Sequence, residues 1–241
     1  ISPNPGDAGG SIGSALLYLD DHKYKIDKDI SYAYLGKKYK NDEIEKILLE
    51  KKLSNNFEIR KLSEDELIDT ITQELSVSKI VGWFQGKMEW GARALGNRSI
   101  LADARNSNIK DIINSKIKRR ESFRPFAPAI LGEYTESWFE TNKEVPYMSE
   151  VYSILKSKRN ELPGITHVDG TGRLQTVTYL SNPRFYKLIK KFYEKTNIPI
   201  LLNTSFNENE PIVESPEQAL NCFLRTNMDI LVLEDWIIKR K

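Results

Sequence analysis

The sequence of 241 residues holds one cysteine and two histidines. A lone thiol, Cys222, excludes an internal disulfide framework and suits a reducing, cytoplasmic setting. Two histidines exclude a metal site built from this chain's imidazoles alone. No apolar run approaches the ~20 residues of a membrane span, and no signal-peptide pattern opens the chain, so no membrane partner is expected. Charge of one sign is also lacking: 36 Lys and Arg stand against 34 Asp and Glu, for a net charge of +2. Taken whole, that balance argues neither for nor against nucleic acid. With 39% hydrophobic and 29% charged residues, the chain should fold as one large domain or two small ones. It begins ISPNPGDAGGSIGSALLYL, in the middle of a motif and without an initiator Met, which reads as a piece of a longer protein.

What is present is charge concentrated in one region. Between Gly86 and Pro125 there are ten Lys or Arg and four acids, an excess of six. The stretch GKMEWGARALGNRSILADAR gathers Lys87, Arg93, Arg98 and Arg105 among glycines. A solvated helix face needs no glycines, whereas a loop in which backbone and cations surround an anion does. A plain surface loop is the competing reading.

Periodicity supplies the frame. Helices are expected over GGSIGSALLYLDD, NDEIEKILLEKKL, SEDELIDTITQELS with its Ser63 to Glu66 capping box, NIKDIINSKIK, NPRFYKLIKKFYEKT behind Asn182-Pro183, and the segment led by Ser215-Pro216. Strands are expected at SYAYLG, FEIRKL, KIVGWF, FAPAIL, YMSEVYSIL, RLQTVTYL, PILLNTSF and DILVLED. Alternation of the two types gives an α/β class with a mixed sheet. Cys222 falls on the apolar face of the last helix, with Ala219 and Phe223, and is expected to be a core thiol.

Three further polar clusters share the character of the opening loop. In KIKRRESFRPFAP, Lys118, Arg120 and Arg124 emerge from a helix end, and Pro125 pushes Arg124 to extended geometry; cations suiting the helix dipole are the alternative. In THVDGTGRLQTV, Asp169-Gly170 makes a turn and Arg173 and Gln175 share one strand face. In PILLNTSFNENEPI, a buried strand runs into Asn203, Thr204, Ser205 and Asn207, short donors at a strand's carboxyl end, where open α/β sheets place ligands.

These four segments, with the PNPGDAGGSIGSAL start, closely resemble the C-terminal half of the O-carbamoyltransferases, the family of the nodulation protein NodU and the carbamoyltransferases of aminoglycoside and cephamycin biosynthesis. The resemblance implies a YrdC-like mixed twisted sheet with flanking helices and a basic central cavity over 29–241, and the tail of an upstream Kae1-like domain over 1–28. The YrdC signature is matched by Lys118-Arg119-Arg120 and Ser205-Phe206-Asn207. By this resemblance the domain makes a carbamoyl-adenylate from carbamoyl phosphate and ATP with Mg²⁺, and the Kae1-like domain, with a divalent metal such as Fe²⁺, passes the carbamoyl group to an acceptor hydroxyl on a sugar, antibiotic or oligosaccharide. Arg93, Arg98, Lys118, Arg124 and Arg173 are expected around the phosphates because arginine forks bind oxyanions in a bidentate manner. Arg120, Asn203, Thr204, Ser205, Asn207, Asp169 and Gln175 are expected on substrate or nucleotide. Asp7 matches a metal ligand of the Kae1-like domain, whose histidines are absent from this sequence. The family's usual loop proline is Ala92 here. The resemblance leaves a homodimer open and sets nucleic acid aside, although an RNA-binding module would also use a basic patch with Trp83, Trp90 and Phe123 beside it. A non-catalytic domain that holds the Kae1-like partner is the third reading.

Overall fold

The computed structural model describes residues 4–6, 8–25, 33–53 and 56–241. Among them the chain forms, in order, α1 (Gly9–Asp21), α2 (Asn41–Lys51), β1 (Phe57–Lys61), α3 (Glu64–Ser76), β2 (Val81–Phe84), β3 (Arg98–Ala102), α4 (Ile109–Lys116), β4 (Ala127–Leu131), β5 (Glu150–Ser153), β6 (Thr171–Val177), α5 (Pro183–Thr196), β7 (Ile200–Ser205), α6 (Pro216–Arg225), β8 (Ile230–Leu233) and β9 (Trp236–Arg240). The helix starts follow capping chemistry. The Ser63 hydroxyl accepts from the Glu66 amide, Ser215 from Gln218, and Asn182 from Phe185, each satisfying an amide that the first turn leaves unpaired. Helix α5 then buries Phe185, Leu188, Ile189 and Phe192, a stripe stabilising by roughly 1.5–3 kcal/mol per side chain.

The strands make one sheet in the order β1-β9-β8-β2-β3-β7-β4-β6-β5. Pairs β2/β8 and β4/β6 are parallel and the rest antiparallel, so the α/β class with a mixed sheet stands as expected. Helices α3 and α5 pack together, α5 also lies on β4 and β7, and α6 lies on β2 and β8. A single apolar cluster, from Tyr39 and Ile44 through Trp83 and Phe206 to Ile238, holds these layers together.

Two strands escaped the pattern reading. RSILA had been absorbed into the Gly-Arg loop and is β3, buried throughout; WIIKR closes the sheet as β9 between β1 and β8. The strand expected at SYAYLG is corrected: residues 33–36 form no strand, and 31–32 lie outside the described residues. Tyr34 serves a loop instead, its hydroxyl donating to the Leu95 carbonyl at 2.8 Å.

The register decides where chemistry can occur. Ser205 at the end of β7 sits opposite Ser99 near the start of β3, and Asn203 opposite Ala127 at the start of β4. Ala129 of β4 in turn pairs with Gln175 of β6. The carboxyl end of one central strand therefore meets the beginnings of two others, with β6 one strand further on.

Candidate functional site

Two adjoining cavities open at that edge. The smaller, of about 110 Å³, is lined by Arg93, Arg120, Arg173, Asn203, Thr204 and Ser205, with Phe126 and Met148 among its apolar contacts. The larger, of about 400 Å³, is lined by Lys118, Arg119, Arg120, Arg124, Ser205 and Asn207, with Glu121 and Glu208 at its margin. Arg120 and Ser205 belong to both. The basic loop, the 118–125 turn, β6 and the end of β7 are thus brought to one place from four separate stretches of chain.

The charge in the small cavity is uncompensated. Among the described residues none of Arg93, Arg120 and Arg173 is ion-paired. Burial, then Arg93 and Arg120, hold the Arg173 guanidinium below its ordinary value; burial and Arg124 do the same for Arg120. The Arg173 Nε is buried without a partner. Cations pressed together in this way favour an anion between them. Arg120 is aimed by Asn114, whose Oδ1 accepts from Arg120 Nε at 2.8 Å and whose Nδ2 donates to the Ser122 and Arg124 carbonyls at 3.2 and 3.0 Å. Asn114 was missed in the sequence; the structure buries it fully, as it does Ile113 and Ile117.

Lys118 is the strut of the larger cavity. Its Nζ donates to the Ser205 carbonyl at 2.5 Å, the Asn207 carbonyl at 2.8 Å, Asn207 Oδ1 at 2.7 Å and Ser205 Oγ at 3.2 Å. The Ser205 hydroxyl also donates to Asn207 Oδ1 at 2.7 Å, so the Lys-x-Arg and Ser-x-Asn segments form one network. Burial and the nearby Arg120 push the Lys118 ammonium down to about 7. Arg124 stays on the rim, paired with Glu121 at 2.9 Å. Arg119, on the same cavity, is paired with Glu208 at 2.9 Å.

Other expected residues lie elsewhere. Arg98 lines neither cavity. Its fully buried guanidinium stacks on Phe84 with Cζ 3.5 Å from the ring centroid. It donates to the carbonyls of Gln85, Asn97, Lys37 and Gly86 at 2.7–3.3 Å. As the first residue of β3 it points into the protein, and burial lowers it to about 10; the role expected for it as a phosphate clamp is corrected to that of an internal tie. Asp169 is likewise engaged locally, accepting from the Thr171 amide and hydroxyl in an Asx turn outside both cavities. Gln175 lines a third, mostly apolar cavity of about 300 Å³ beside Tyr34 and Leu95, and reaches the site only through Asn203. Asp7 lies outside the described residues. Among the described residues no three His, Cys, Asp or Glu side chains converge to hold a metal.

The loop that carries Arg93 hangs on a residue the sequence reading overlooked. Glu89 Oε1 accepts from the amides of Leu95, Asn97 and Arg98 at 2.7, 2.8 and 3.1 Å. The backbone amides of the anion cradle thus hold an internal carboxylate, and side chains are left for any external anion. Gly96 is obligatory in this loop: its φ is +106°, and an added Cβ would lie 2.3 Å from Phe185 Cδ1.

The family model for the carbamoyltransferase C-terminus matches residues 72–240. The chain belongs to that family. It is 38% identical over 246 residues to the nodulation protein NolO of Bradyrhizobium diazoefficiens, covering 100% of this chain and 44% of that protein. It is 36% identical over 168 residues to the 3'-hydroxymethylcephem-O-carbamoyltransferase of Streptomyces clavuligerus, covering 69% of this chain and 32% of that enzyme. The chain spans less than half the length of these curated relatives. Among solved structures, full-length HypF in its phosphate- and nucleotide-bound form superposes with a TM-score of 0.51 at 18% identity, over 70% of this chain and 25% of that one, a likeness of fold. In this carbamoyltransferase C-terminal domain the four converging segments all fall within the matched residues.

Proposed function

We propose that the two cavities bind carbamoyl phosphate and the phosphates of ATP, and that the domain forms a carbamoyl-adenylate for transfer to an acceptor hydroxyl. The observation that carries this reading is the unpaired triad Arg93, Arg120 and Arg173 around about 110 Å³, adjoining the Lys118–Ser205–Asn207 network. Atoms balance in two steps. Water cleaves carbamoyl phosphate to carbamate and inorganic phosphate. A carbamate oxygen then bonds to the α-phosphorus of ATP as the bond to pyrophosphate breaks. Both partners of the second step are anionic, so neutralising charge while holding them in line is the main demand on the protein. The arginine triad serves that demand with forks that never lose their proton. Mg²⁺ fits as a companion of the nucleotide's own phosphates, since the acids at the margin, Glu121 and Glu208, are already paired with Arg124 and Arg119.

The cephem relative's name gives its acceptor as a hydroxymethyl group, and a hydroxyl acceptor is the natural class for this chain as well. The full-length protein, supplied with ATP, Mg²⁺, carbamoyl phosphate and acceptor, is expected to release pyrophosphate. Arg173→Lys keeps the charge but not the fork, and is expected to lose on the order of 10²-fold in that rate, or ~2.7 kcal/mol of transition-state stabilisation. Absence of pyrophosphate from the wild type overturns the reading.

A further inference from the structure

The small cavity presents mainly donors, three guanidinium groups and the Thr204 hydroxyl, while the Ser205 hydroxyl proton is committed to Asn207 Oδ1. Asn203 is the exception, and its orientation is determined by its neighbours. Gln175 Nε2 donates to the Leu95 carbonyl at 2.8 Å, which turns Gln175 Oε1 toward Asn203. Asn203 Nδ2 donates to that Oε1 at 2.8 Å and to the Ala94 carbonyl at 3.2 Å. A flipped Asn203 amide would set its oxygen against two other oxygens, so the chain of amides runs in one direction only. Its far end is Asn203 Oδ1, on a side chain 1% exposed and with no donor in the protein. A buried acceptor left unmatched is costly, and one at the wall of an oxyanion cavity calls for a ligand that brings a donor.

We propose that Asn203 Oδ1 accepts a hydrogen bond from the carbamoyl NH₂ group and so makes the cavity selective for carbamoyl over other acyl phosphates. The inference rests on the carbamoyl phosphate reading given above. A carbamoyl nitrogen is planar and only donates, because its lone pair is delocalised into the carbonyl. An acetyl group has the same shape with a methyl in that place, and would leave Oδ1 unmatched. A site built to bond an N–H rejects the analogue lacking it far more strongly than a merely shaped pocket does.

The experiment compares pyrophosphate release from ATP by the full-length protein with carbamoyl phosphate and with acetyl phosphate. The wild type is expected to prefer carbamoyl phosphate by at least ~10²-fold in kcat/KM. Asn203→Leu should shrink that ratio by ~10²-fold while leaving the KM for ATP near the wild-type value. Gln175→Leu, which leaves the Leu95 carbonyl its bond from Tyr34, should shrink the ratio by ~10-fold through loss of the Asn203 orientation. It decides the matter where Asn203→Leu fails to fold. Equal use of the two acyl phosphates by the wild type, or an unchanged ratio in the folded variants, overturns the proposal. Absence of pyrophosphate with both compounds overturns the underlying reading instead.

Discussion

Two buried cations of this domain illustrate how little a residue's type says about its task. Arg98 and Lys118 are both almost inaccessible to solvent, yet Arg98 ties four carbonyls away from the cavities, while Lys118 lines one of them and holds the Ser205–Asn207 turn. From the sequence both were read as phosphate ligands, because charge can be read from a sequence and the direction of a side chain at a strand start cannot. Lys118 carries a testable signature. Its ammonium is depressed to about 7 by burial and by Arg120, so it is charged well below that value and neutral well above it. An anion in the adjoining cavity favours the charged form and raises the value, so binding takes up a proton. Sulfate, which does not itself titrate in this range, should therefore bind the protein most tightly below pH 7 and more weakly as pH rises from 7 to 9. Titration calorimetry between pH 6 and 9 measures this. Lys118→Met should flatten the dependence, and a profile already flat in the wild type would refute the assignment.

At the scale of elements, the loop 89–98 shows which signals a sequence conceals. Its glycines and cations were legible, as were the capping box of α3 and the Ser215-Pro216 start of α6, because these are local. Glu89 was not, since its three amide partners are supplied by a turn whose shape no periodicity encodes. Nor was β3, five residues that follow the loop without punctuation. Removing the Glu89 carboxylate with Glu89→Ala strands three buried amides, and a loss of roughly 3 kcal/mol or more in urea unfolding is expected, at ~1–3 kcal/mol per unmatched donor with incomplete additivity. Glu89→Gln retains an acceptor and should cost less. The pH dependence has a definite sign. Burial raises the folded Glu89 above the ordinary carboxylate value, so the folded state binds a proton that the unfolded chain releases. Its contribution to stability is therefore present below the unfolded value and lost as pH rises through the folded one. Glu89→Gln should remove that part of the slope.

Over the whole molecule, the α/β class and the meeting of distant segments were legible because the same four stretches that carry charge also carry the family resemblance. The strand order was not, since the parallel pairing of β2 with β8 and of β4 with β6 depends on contacts far apart in sequence. The boundary expected near residue 28 can be argued from packing. Helix α1 contains no buried residue, and Leu17 and Tyr18 are 63% and 58% exposed. The main apolar core, by contrast, draws its first member from Tyr39. Ala33 is already engaged, its carbonyl accepting from the Trp90 amide. A helix that buries nothing adds little beyond its own marginal propensity. A chain starting at residue 33 should therefore unfold in urea within ~0.5 kcal/mol of the 241-residue chain, the range of substitutions remote from a core. The loop near Gly91 is the exception, because the Asn4 side chain lies against it, and faster amide exchange confined to 91–97 is expected in the shortened chain. A loss above ~2 kcal/mol would show instead that the first 32 residues are part of the folded unit, and would move the boundary to the start of α1 or earlier.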